Sequence, residues 1–432
     1  MKHTARIVGA ALAATLTIGT LAACSSGDTG NAGDEASDEP VTLDLVWWGN
    51  DSRAEMYQKA IDVFEDKHPN ITVNGNFADF PSYWNARSTE VAAKSLPDVM
   101  QFDQANLIQY GSKGALLDLG PYLDDQLDLS TMDDIIVDAG KIGGTQVGTP
   151  VGTGTLALFV NPALAEAAGV DPLDADYTWD DLNEWIQKLT DAGTANAAGS
   201  PVYGGYDQGI TSWFFLQWLL QKGVEPFDED GKPNFTQDDI VDWMDLMTPF
   251  REAGAYFPPD RATQIAPADG FAQQETASSL TWDSFFARYT DIADLQTLPV
   301  PTGPKGDKDV FYTVLHLAGA ANTKHPAEVA ELLDFFANDP EVSKIFGTSR
   351  GVPASSTQLD ALDFAEGSLE AKSLEYRDSL ADYESVAAPT LPESFATLEA
   401  SWVRLNGDLM YGKITVDQFA EQWWAEAEQA GL

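Results

Sequence analysis

The sequence predicts an α/β protein. Short apolar runs typical of buried strands alternate with segments whose apolar residues recur at helical spacing, and this alternation is typical of α/β folds. The chain has 432 residues, of which 44% are hydrophobic, with 12 Trp, 13 Tyr and 21 Phe. This length and composition suffice for two domains with sizeable cores. We find no internal repeat that would indicate a solenoid.

The predicted elements follow one another along the chain. An apolar strand at 43–48 stops at Gly49-Asn50, and a helix with apolar positions from Tyr57 to Phe64 ends before Pro69. Further strands are predicted at 71–73, 99–102, 156–160, 278–282 and 310–317. Further helices are predicted to begin near residues 178, 212, 236, 326 and 415. Thr178, Thr236 and Thr415 are the expected N-caps of three of them.

The first residues indicate export. A basic start precedes an apolar stretch at 7–21, which is shorter than the ~20 residues that span a bilayer. Small residues and the only cysteine, Cys24, follow, and this tail resembles the lipobox of bacterial lipoproteins. The resemblance implies a signal peptide at 1–23 and a lipid anchor such as palmitate on Cys24, at the extracellular face of the cell membrane. An ordinary signal peptide with an incidental cysteine is the alternative.

The segment at 24–40 is predicted to be a flexible linker, because it holds no aromatic or branched apolar residue that could join a core. The folded part then begins at Val41. With 24 Lys and Arg against 68 Asp and Glu, the net charge is −44, which disfavours binding to nucleic acid or anionic lipid. We expect a monomer that touches the membrane only through its anchor. A neutral or cationic ligand is favoured over a phosphate or polycarboxylate.

Motifs for catalysis are scarce. Four histidines and one cysteine leave little material for a zinc site, and the sequence has no HExxH, paired CxxC, GxSxG or GxxxxGK motif. A match to the dinucleotide fingerprint begins at Gly152, but it precedes a strand instead of opening a helix, so we interpret it as a flexible crossing. Carboxylate pairs arise by chance among 68 acidic residues. We therefore expect neither a cofactor nor an enzyme.

A series of short segments runs along the chain. They are Trp47-Trp48-Gly49-Asn50-Asp51, Leu96-Pro97-Asp98-Val99, Val147-Gly148-Thr149-Pro150-Val151, Leu158-Phe159-Val160-Asn161, Thr178-Trp179-Asp180-Asp181-Leu182, Leu298-Pro299-Val300-Pro301, Thr323-Lys324-His325-Pro326, Gly351-Val352-Pro353 and Gly412-Lys413-Ile414-Thr415. In this order they resemble the extracellular solute-binding proteins of carbohydrate ABC transporters, the maltose-binding type. The resemblance covers nearly all of the mature chain and leaves the sugar open.

The resemblance implies a two-lobed, periplasmic-binding-protein-like fold with a ligand cleft between lobes that are joined by hinge crossings. Lobe 1 would comprise 41–152 and 302–350, and lobe 2 would comprise 153–301 and 351–432. Ligand contacts to both lobes would favour the closed state, which an ABC permease would recognise. The abundance of aromatic residues favours an oligosaccharide as the ligand.

A sugar site needs aromatic rings for the apolar faces of the sugar and fixed polar groups for its hydroxyls. At strand ends, where such groups are expected, lie Trp47, Trp48, Asn50, Asp51 and Asp103. Trp84 marks the cleft rim, with Phe80 and Tyr83 as weaker candidates beside it. Arg350 is a further candidate, although pairing with a carboxylate is the favoured interpretation.

Other candidates come from the resemblance. Trp213 stands where the family often has a cleft aromatic, with a core position as an equal alternative. The segment at 280–286 resembles a family motif in which Asp283 would accept a sugar hydroxyl and either Trp282 or Phe286 would stack on the ring. Gly154 stands where some members carry an acidic residue, so a maltose-like hydroxyl clamp is not expected.

Two alternatives remain open. The same fold could bind an anion such as a sugar phosphate or uronide, if two or more of Arg53, Arg87, Arg288 and Arg350 converge in the cleft. A secreted glycoside hydrolase, working through paired carboxylates, is the other.

Overall fold

The computed structural model describes residues 39–123, 125–174, 176–228, 231–266, 268–289, 291–303, 308–380, 383–387 and 391–432. The predicted signal peptide, Cys24 and nearly all of the predicted linker lie outside these residues. Within the described ranges, no helix is long and apolar enough to cross a membrane.

The strands of the described residues are short, as is usual for α/β proteins. They are β1 (Val41–Trp48), β2 (Ile71–Ala78), β3 (Val99–Phe102), β4 (Lys141–Ile142), β5 (Thr145–Gln146), β6 (Thr149–Gly154), β7 (Leu156–Val160), β8 (Ser278–Trp282), β9 (Gln296–Leu298), β10 (Asp309–Gly319) and β11 (Glu384–Ala387).

The helices occupy most of the chain between the strands. They are α1 (Asp51–Lys67), α2 (Phe80–Ala93), α3 (Gln104–Gly111), α4 (Asp134–Asp138), α5 (Pro162–Ala168), α6 (Trp179–Asp191), α7 (Ser212–Gln221), α8 (Gln237–Asp245), α9 (Thr248–Glu252), α10 (Pro259–Ile265), α11 (Pro326–Asn338), α12 (Pro340–Phe346), α13 (Ser356–Asp360), α14 (Leu369–Ser379), α15 (Phe395–Met410) and α16 (Val416–Gln429). Short 3₁₀ helices lie at Gly120–Tyr122, Gln208–Ile210 and Asp283–Arg288.

The larger sheet is built on parallel strands. β1 lies between β2 and β3 and pairs parallel with both. β10 pairs antiparallel with β3 and with β6, and parallel with β11. Because β10 runs against both β3 and β6, those two strands run in the same direction. The carboxyl ends of β1, β2, β3 and β6 therefore lie at one edge of this sheet.

The smaller sheet has β7 at its centre, with β8 and β9 antiparallel on either side. All five residues of β7 are buried, which agrees with its continuous apolar run. A separate two-stranded ribbon pairs β4 with β5.

The helices begin where the sequence supplies N-caps. The Asn50 side chain accepts a hydrogen bond from the backbone nitrogen of Arg53 at the start of α1. Capping boxes open α6, α8 and α16, and each satisfies two backbone N–H donors, that of the N-cap residue and that of the third helical residue. The paired residues are Thr178 with Asp181, Thr236 with Asp239, and Thr415 with Gln418.

The two sheets have separate hydrophobic cores. On one face of the larger sheet, Leu45 and Phe336 belong to a core formed with α1, α11 and α12. A smaller cluster that includes Phe102 covers its other face. The smaller sheet packs into a more aromatic core, to which Phe159 and Trp243 belong. Full burial of such a side chain stabilises the fold by about 1.5–3 kcal/mol relative to exposure.

Described stretches of chain link the two cores. β6 ends at Gly154 in the larger sheet, and β7 begins at Leu156 in the smaller one. β10 crosses as well, because its Phe311 belongs to the smaller sheet's core and its Leu317 to the larger sheet's core. The crossing therefore falls inside β10, later in the chain than the predicted boundary at 302.

The return of the chain also comes later than predicted. Ala354 belongs to the core of the larger sheet, and α13 contacts α11 and α12. The chain therefore stays with the larger sheet beyond the predicted boundary at 350 and leaves it after α13.

Most predicted elements are confirmed. The strands at 99–102, 156–160 and 278–282 coincide with β3, β7 and β8, and α7 begins at residue 212 as expected. The glycine-rich segment at Gly152 does lead into the crossing between the sheets, but it is a paired strand and not a loop, since Gly152, Thr153 and Gly154 belong to β6 and pair with β10. Gly152, Thr153 and Gly154 lack the apolar alternation that predicts a strand, so only their pairing with β10 identifies this one.

Candidate functional site

Strand ends of both sheets meet at the crossing from β6 to β7. The carboxyl ends of β1, β2 and β3 lie at the same edge as Gly154, the last residue of β6. Across the crossing, Trp282 ends β8 and pairs with Leu156, the first residue of β7. A Cβ on Gly154 would lie 3.9 Å from the Trp282 ring and 3.8 Å from Asp283. Open α/β sheets bind their ligands at such strand ends.

Aromatic side chains cover the strand ends of the larger sheet. We define the first aromatic group as Trp48, Phe80 and Trp84; Phe77 packs instead on Trp47, with ring centres 6.3 Å apart. The rings of Trp48 and Phe80 meet edge to face at 5.4 Å, and Trp48 lies 5.9 Å from Trp84. Phe77 and Phe80 are 42% and 48% exposed, which is unusual for phenylalanine. These rings therefore offer an accessible apolar surface at the sheet edge.

A second aromatic group, Trp213 with Trp282, lies on the other side of the crossing. Both rings are half-buried and meet edge to face at 5.7 Å. The rings of Phe311 and Phe395 pack against the Trp213 ring, with ring centres 5.7 and 5.1 Å from its own. Trp213 thus touches the core while part of its ring stays accessible, so both interpretations of this residue hold in part.

The turn before Trp213 is held by the half-buried carboxylate of Glu399. Glu399 accepts hydrogen bonds from the Thr211 hydroxyl at 2.6 Å and from the backbone nitrogen of Ser212 at 3.0 Å. Burial raises the pKa of Glu399 above its usual value, although these donors oppose the shift. The contacts hold the first turn of α7 and hence the position of Trp213.

The polar candidates of the larger sheet serve as helix caps. Asp103 caps α3 and accepts from the backbone nitrogen of Asn106 at 2.9 Å and from its side-chain amide at 2.8 Å. Burial raises the pKa of Asp103. Asn50 caps α1, and Asp51 is exposed in the first turn of α1. The described residues hold no group of three or more acidic, His or Cys side chains arranged for a metal ion.

Asp283 makes a buried ion pair. Its side chain is 1% exposed and accepts from Nε of Arg377 at 2.5 Å and from the backbone nitrogen of Thr155 at 3.2 Å. Arg377 also donates to the backbone oxygen of Thr153 at 2.6 Å. Both oxygens of Asp283 therefore already have protein donors. We interpret the residue as a tie between β8 and the crossing, not as an acceptor for a sugar hydroxyl.

Arg350 does not pair with a carboxylate, so that interpretation is wrong. Among the described residues, no acidic side chain lies within ion-pair distance of its guanidinium, which stacks on Phe346 at 4.0 Å and donates to the backbone oxygen of Phe336 at 3.3 Å. The Tyr57 hydroxyl lies beside it and donates to Gln101 at 2.8 Å. Burial lowers the pKa of Arg350.

Two predicted stacking residues lie in the cores. Trp47 is 3% exposed and stacks on Tyr57 with ring centres 4.1 Å apart. Phe286 is 1% exposed and packs edge to face on Phe159 at 4.9 Å. A buried ring has no free face for a ligand. Of the competing pair Trp282 and Phe286, Trp282 is therefore the ring at the crossing.

Two residues near the candidate site, Phe77 and Arg53, were not predicted as sugar contacts by the sequence analysis. The strand that carries Phe77 was predicted to end at residue 73, whereas β2 runs to Ala78. Gly75 and two asparagines interrupt its apolar alternation, and this hid the continuation. Arg53, considered only for an anionic ligand, is half-buried and donates through Nη2 to the backbone oxygen of Ser349.

Comparisons with known proteins place this geometry in context. A family model described as bacterial extracellular solute-binding protein matches residues 50–342. An ABC substrate-binding protein from Listeria monocytogenes, in complex with cycloalternan, is 19% identical with a TM-score of 0.77, over 90% of this chain and 99% of that chain. A periplasmic oligogalacturonide-binding protein from Yersinia enterocolitica, in complex with saturated digalacturonic acid, is 22% identical with a TM-score of 0.74, over 90% and 98%. The GacH receptor of Streptomyces glaucescens, solved unliganded and with acarbose, is 19% identical with a TM-score of 0.72, over 91% and 99%.

Proposed function

The chain belongs to the family of bacterial extracellular solute-binding proteins, and on this premise we propose that it is a receptor for an oligosaccharide, which it delivers to an ABC import permease. Its fold is that of the two-lobed solute-binding proteins. The ligand would lie at the crossing, between the strand ends of the larger and the smaller sheet.

The two aromatic groups carry this proposal. Trp48, Phe80 and Trp84 stand on one side of the crossing, and Trp213 and Trp282 on the other. Sugar rings have apolar C–H faces that pack on aromatic rings, and each further sugar unit gains from a further ring. Accessible rings on both sides favour a ligand of more than one sugar unit. The similar structures named above contain cycloalternan, digalacturonic acid and acarbose, which supports the same class of ligand.

Closure of the lobes would follow from contacts on both sides. A ligand that touches both aromatic groups binds the closed state better than the open one and shifts the equilibrium by that difference. At the hinge, the backbones of Thr153 and Val352 exchange hydrogen bonds of 2.8 and 3.0 Å. The permease would then recognise the closed form of a monomeric receptor.

A thermal-shift screen of the purified mature protein against neutral and acidic oligosaccharides tests the proposal. A ligand at a hundred times its dissociation constant should add about 2.7 kcal/mol to the free energy of unfolding. Trp282→Ala should abolish the shift. Tyr411→Ala is the control, because it also removes an accessible aromatic side chain, which here donates a hydrogen bond to Asp260 on α10. Loss of the shift in both variants, or no shift with any sugar, would contradict the proposal.

We extend the proposal to the predicted anchor at Cys24, which the lipobox-like sequence before it supports. Expression in a bacterial host should yield membrane-bound protein that incorporates labelled palmitate. Cys24→Ser should release the protein from the membrane fraction. Membrane binding that survives this substitution would contradict the anchor without affecting the proposed ligand.

The hydrolase alternative makes a different prediction. A hydrolase would release reducing sugar from a glycan panel over many turnovers, whereas a receptor would bind a stoichiometric amount and return it unchanged. The family comprises binding proteins, which favours the receptor. Catalytic release of reducing sugar by purified protein would refute it.

A further inference from the structure

Helix α3 lies between the two cores. Its Leu107 and Tyr110 belong to the smaller cluster on the larger sheet. Its Ala105, by contrast, is 5% exposed and belongs to the core of the smaller sheet, against which Ile108 also packs. Every residue of α3 is buried or half-buried. The helix therefore makes two contacts, one with each core.

The helical repeat accounts for these two faces. Ala105, Ile108 and Gln109 stand at intervals of three and four residues from the first, which places them on one side of the helix. Leu107 and Tyr110 are three residues apart and lie on the opposite side. In a chain of which 21% of the residues are charged, α3 has no charged residue. The helix therefore brings no charge to either contact.

The face formed by Ala105, Ile108 and Gln109 meets helix α15. The two helices are in contact, and Nε2 of Gln109 donates a hydrogen bond to Oγ1 of Thr397 at 3.4 Å. α15 is held in the core of the smaller sheet by residues such as Trp402. We name this meeting of the two helices the α3–α15 contact. It joins the two lobes through side chains, in addition to the chain crossings from β6 to β7 and within β10.

The α3–α15 contact also connects the two aromatic groups. On α3, Tyr110 packs against Trp84 of the first group, with ring centres 5.7 Å apart. Phe395, the first residue of α15, packs against Trp213 of the second group at 5.1 Å. α3 begins one residue after the end of β3, at the sheet edge of the candidate site. The contact therefore spans the two sides of that site.

We propose that the α3–α15 contact forms when the lobes close and fixes the separation of the two aromatic groups around the ligand, so that Ala105, Ile108 and Gln109 are positioning residues for sugar binding. This role in binding rests on the proposed function. An oligosaccharide enters between the strand ends, so the contact separates to admit it and forms again to enclose it. The closed fraction of the receptor, and with it the apparent affinity, then depends on this contact.

The chemistry of the contact suits repeated opening. Because α3 brings no charged side chain, the contact forms without the desolvation cost of an ion pair. Gln109 is half-buried and Thr397 is exposed, so water replaces their hydrogen bond when the helices separate. Ala105 has the smallest side chain of its face and lets the lobes approach closely, whereas a large ring at this position would hold them apart.

Ala105→Trp tests the proposal by calorimetry and small-angle X-ray scattering. Without sugar, this variant should have a larger radius of gyration than the wild type, because the ring keeps the lobes apart. Its affinity for the sugar that binds best among maltotriose, cellotriose, mannotriose and trigalacturonate should fall about tenfold or more, since the closed fraction is reduced. Ala400→Trp is the matched control, because it places the same ring on an exposed alanine of α15 and should change neither quantity.

A reversible bridge across the contact gives an independent test that keeps Ala105. Cys24 is the only cysteine of the chain, so Gln109→Cys with Thr397→Cys in a Cys24→Ser background supplies one thiol on each helix. A short bis-methanethiosulfonate linker joins the two thiols through disulfides and holds the lobes together. Association of the same sugar should then slow about tenfold or more, because the lobes cannot separate to admit it, and reduction of the disulfides should restore the rate.

The outcomes separate this proposal from the proposed function. Wild-type affinity in a folded Ala105→Trp protein would overturn the positioning role, and so would an unchanged association rate in the bridged protein. Tighter binding by Ala105→Trp would assign the contact to the open state and would also overturn it. If no sugar of the panel binds to the wild type, the proposed function fails, while a larger radius of gyration in Ala105→Trp still reports the contact between the lobes.

Discussion

Replacement of Arg377 by methionine tests the ion pair that joins β8 to the crossing. The Asp283 carboxylate is 1% exposed and the Arg377 side chain 13%, with 2.5 Å between Nε and Oδ2. Methionine keeps much of the length of arginine and its apolar packing but leaves the buried carboxylate with only the backbone nitrogen of Thr155 as a donor.

The expected loss follows from this burial. Removal of one partner from a buried ion pair typically costs about 3–5 kcal/mol, because the remaining charge stays desolvated without compensation. Exposed pairs contribute only about 0–1 kcal/mol. Arg404, which pairs with Glu426, has side-chain exposures of 52% and 36% in its pair and provides the matched control. Arg404→Met should therefore change the free energy of unfolding by less than about 1 kcal/mol.

Urea unfolding of both variants, followed by tryptophan fluorescence and circular dichroism, measures the difference. Asp283→Asn in the Arg377→Met background should recover part of the loss, since the neutral amide costs less to bury. If Arg377→Met is no more destabilising than Arg404→Met, the pair does not hold the crossing together. Asp283 would then be free to act on a ligand after all.

Three further predictions concern the crossing and the larger sheet. Gly351 has a φ of 89°, and a Cβ at this position would lie 2.3 Å from the carbonyl oxygen of Thr153 in β6. Gly351→Ala should therefore lower the free energy of unfolding, measured in urea, by at least ~1–3 kcal/mol. Gly407→Ala is the control and should be neutral or stabilising, because a Cβ at Gly407 would meet no atom within 4 Å. Burial lowers the pKa of His316 from 6.5 to about 3, so below pH 6.5 this side chain binds a proton in the unfolded chain but not in the folded protein. The free energy of unfolding should then fall by about 1.4 kcal/mol per unit as the pH drops below 6.5, and equal slopes for wild type and His316→Gln between pH 7.5 and 5 would refute this. Asp103→Ala and Trp282→Ala should both weaken sugar binding in calorimetry, and Asp103→Ala should also cost about 1 kcal/mol of stability through the lost helix cap. Wild-type affinity in both would exclude these residues from the site.

The elements of the fold were largely predictable from the sequence, because their signals are local. The continuous apolar run of β7 and the capping boxes at Thr178 and Thr415 define their elements without reference to the rest of the chain. β6 and the second half of β2 escaped prediction, since glycine, threonine and asparagine lack the apolar alternation that marks a strand. Their place is set by pairing with β10 and β1.

Individual site residues were harder to predict than the region of the site. Strand ends indicated an edge of the sheet as the site, but of the residues predicted there Trp47 and Phe286 lie in the cores, whereas their neighbours Trp48 and Phe285 are half-buried. Adjacent residues of a strand, such as Trp47 and Trp48, point to opposite faces, and adjacent residues of a 3₁₀ helix, such as Phe285 and Phe286, also point in different directions, so a sequence position close to the candidate site leaves the direction of the side chain undecided. The sequence likewise gave no sign that the Asp283 carboxylate is already bound, because its donor Arg377 lies far away in the chain.

The sequence by itself determined the α/β class, the order of most strands and helices, the overall acidic charge and a resemblance that the family match confirms. These properties depend on composition and on patterns within a few residues. Only the tertiary structure decided which aromatic rings lie at the crossing and which carboxylates are occupied by arginines. Contacts of this kind join residues far apart in the chain, and the free energy of burial and charge pairing depends on those neighbours in space.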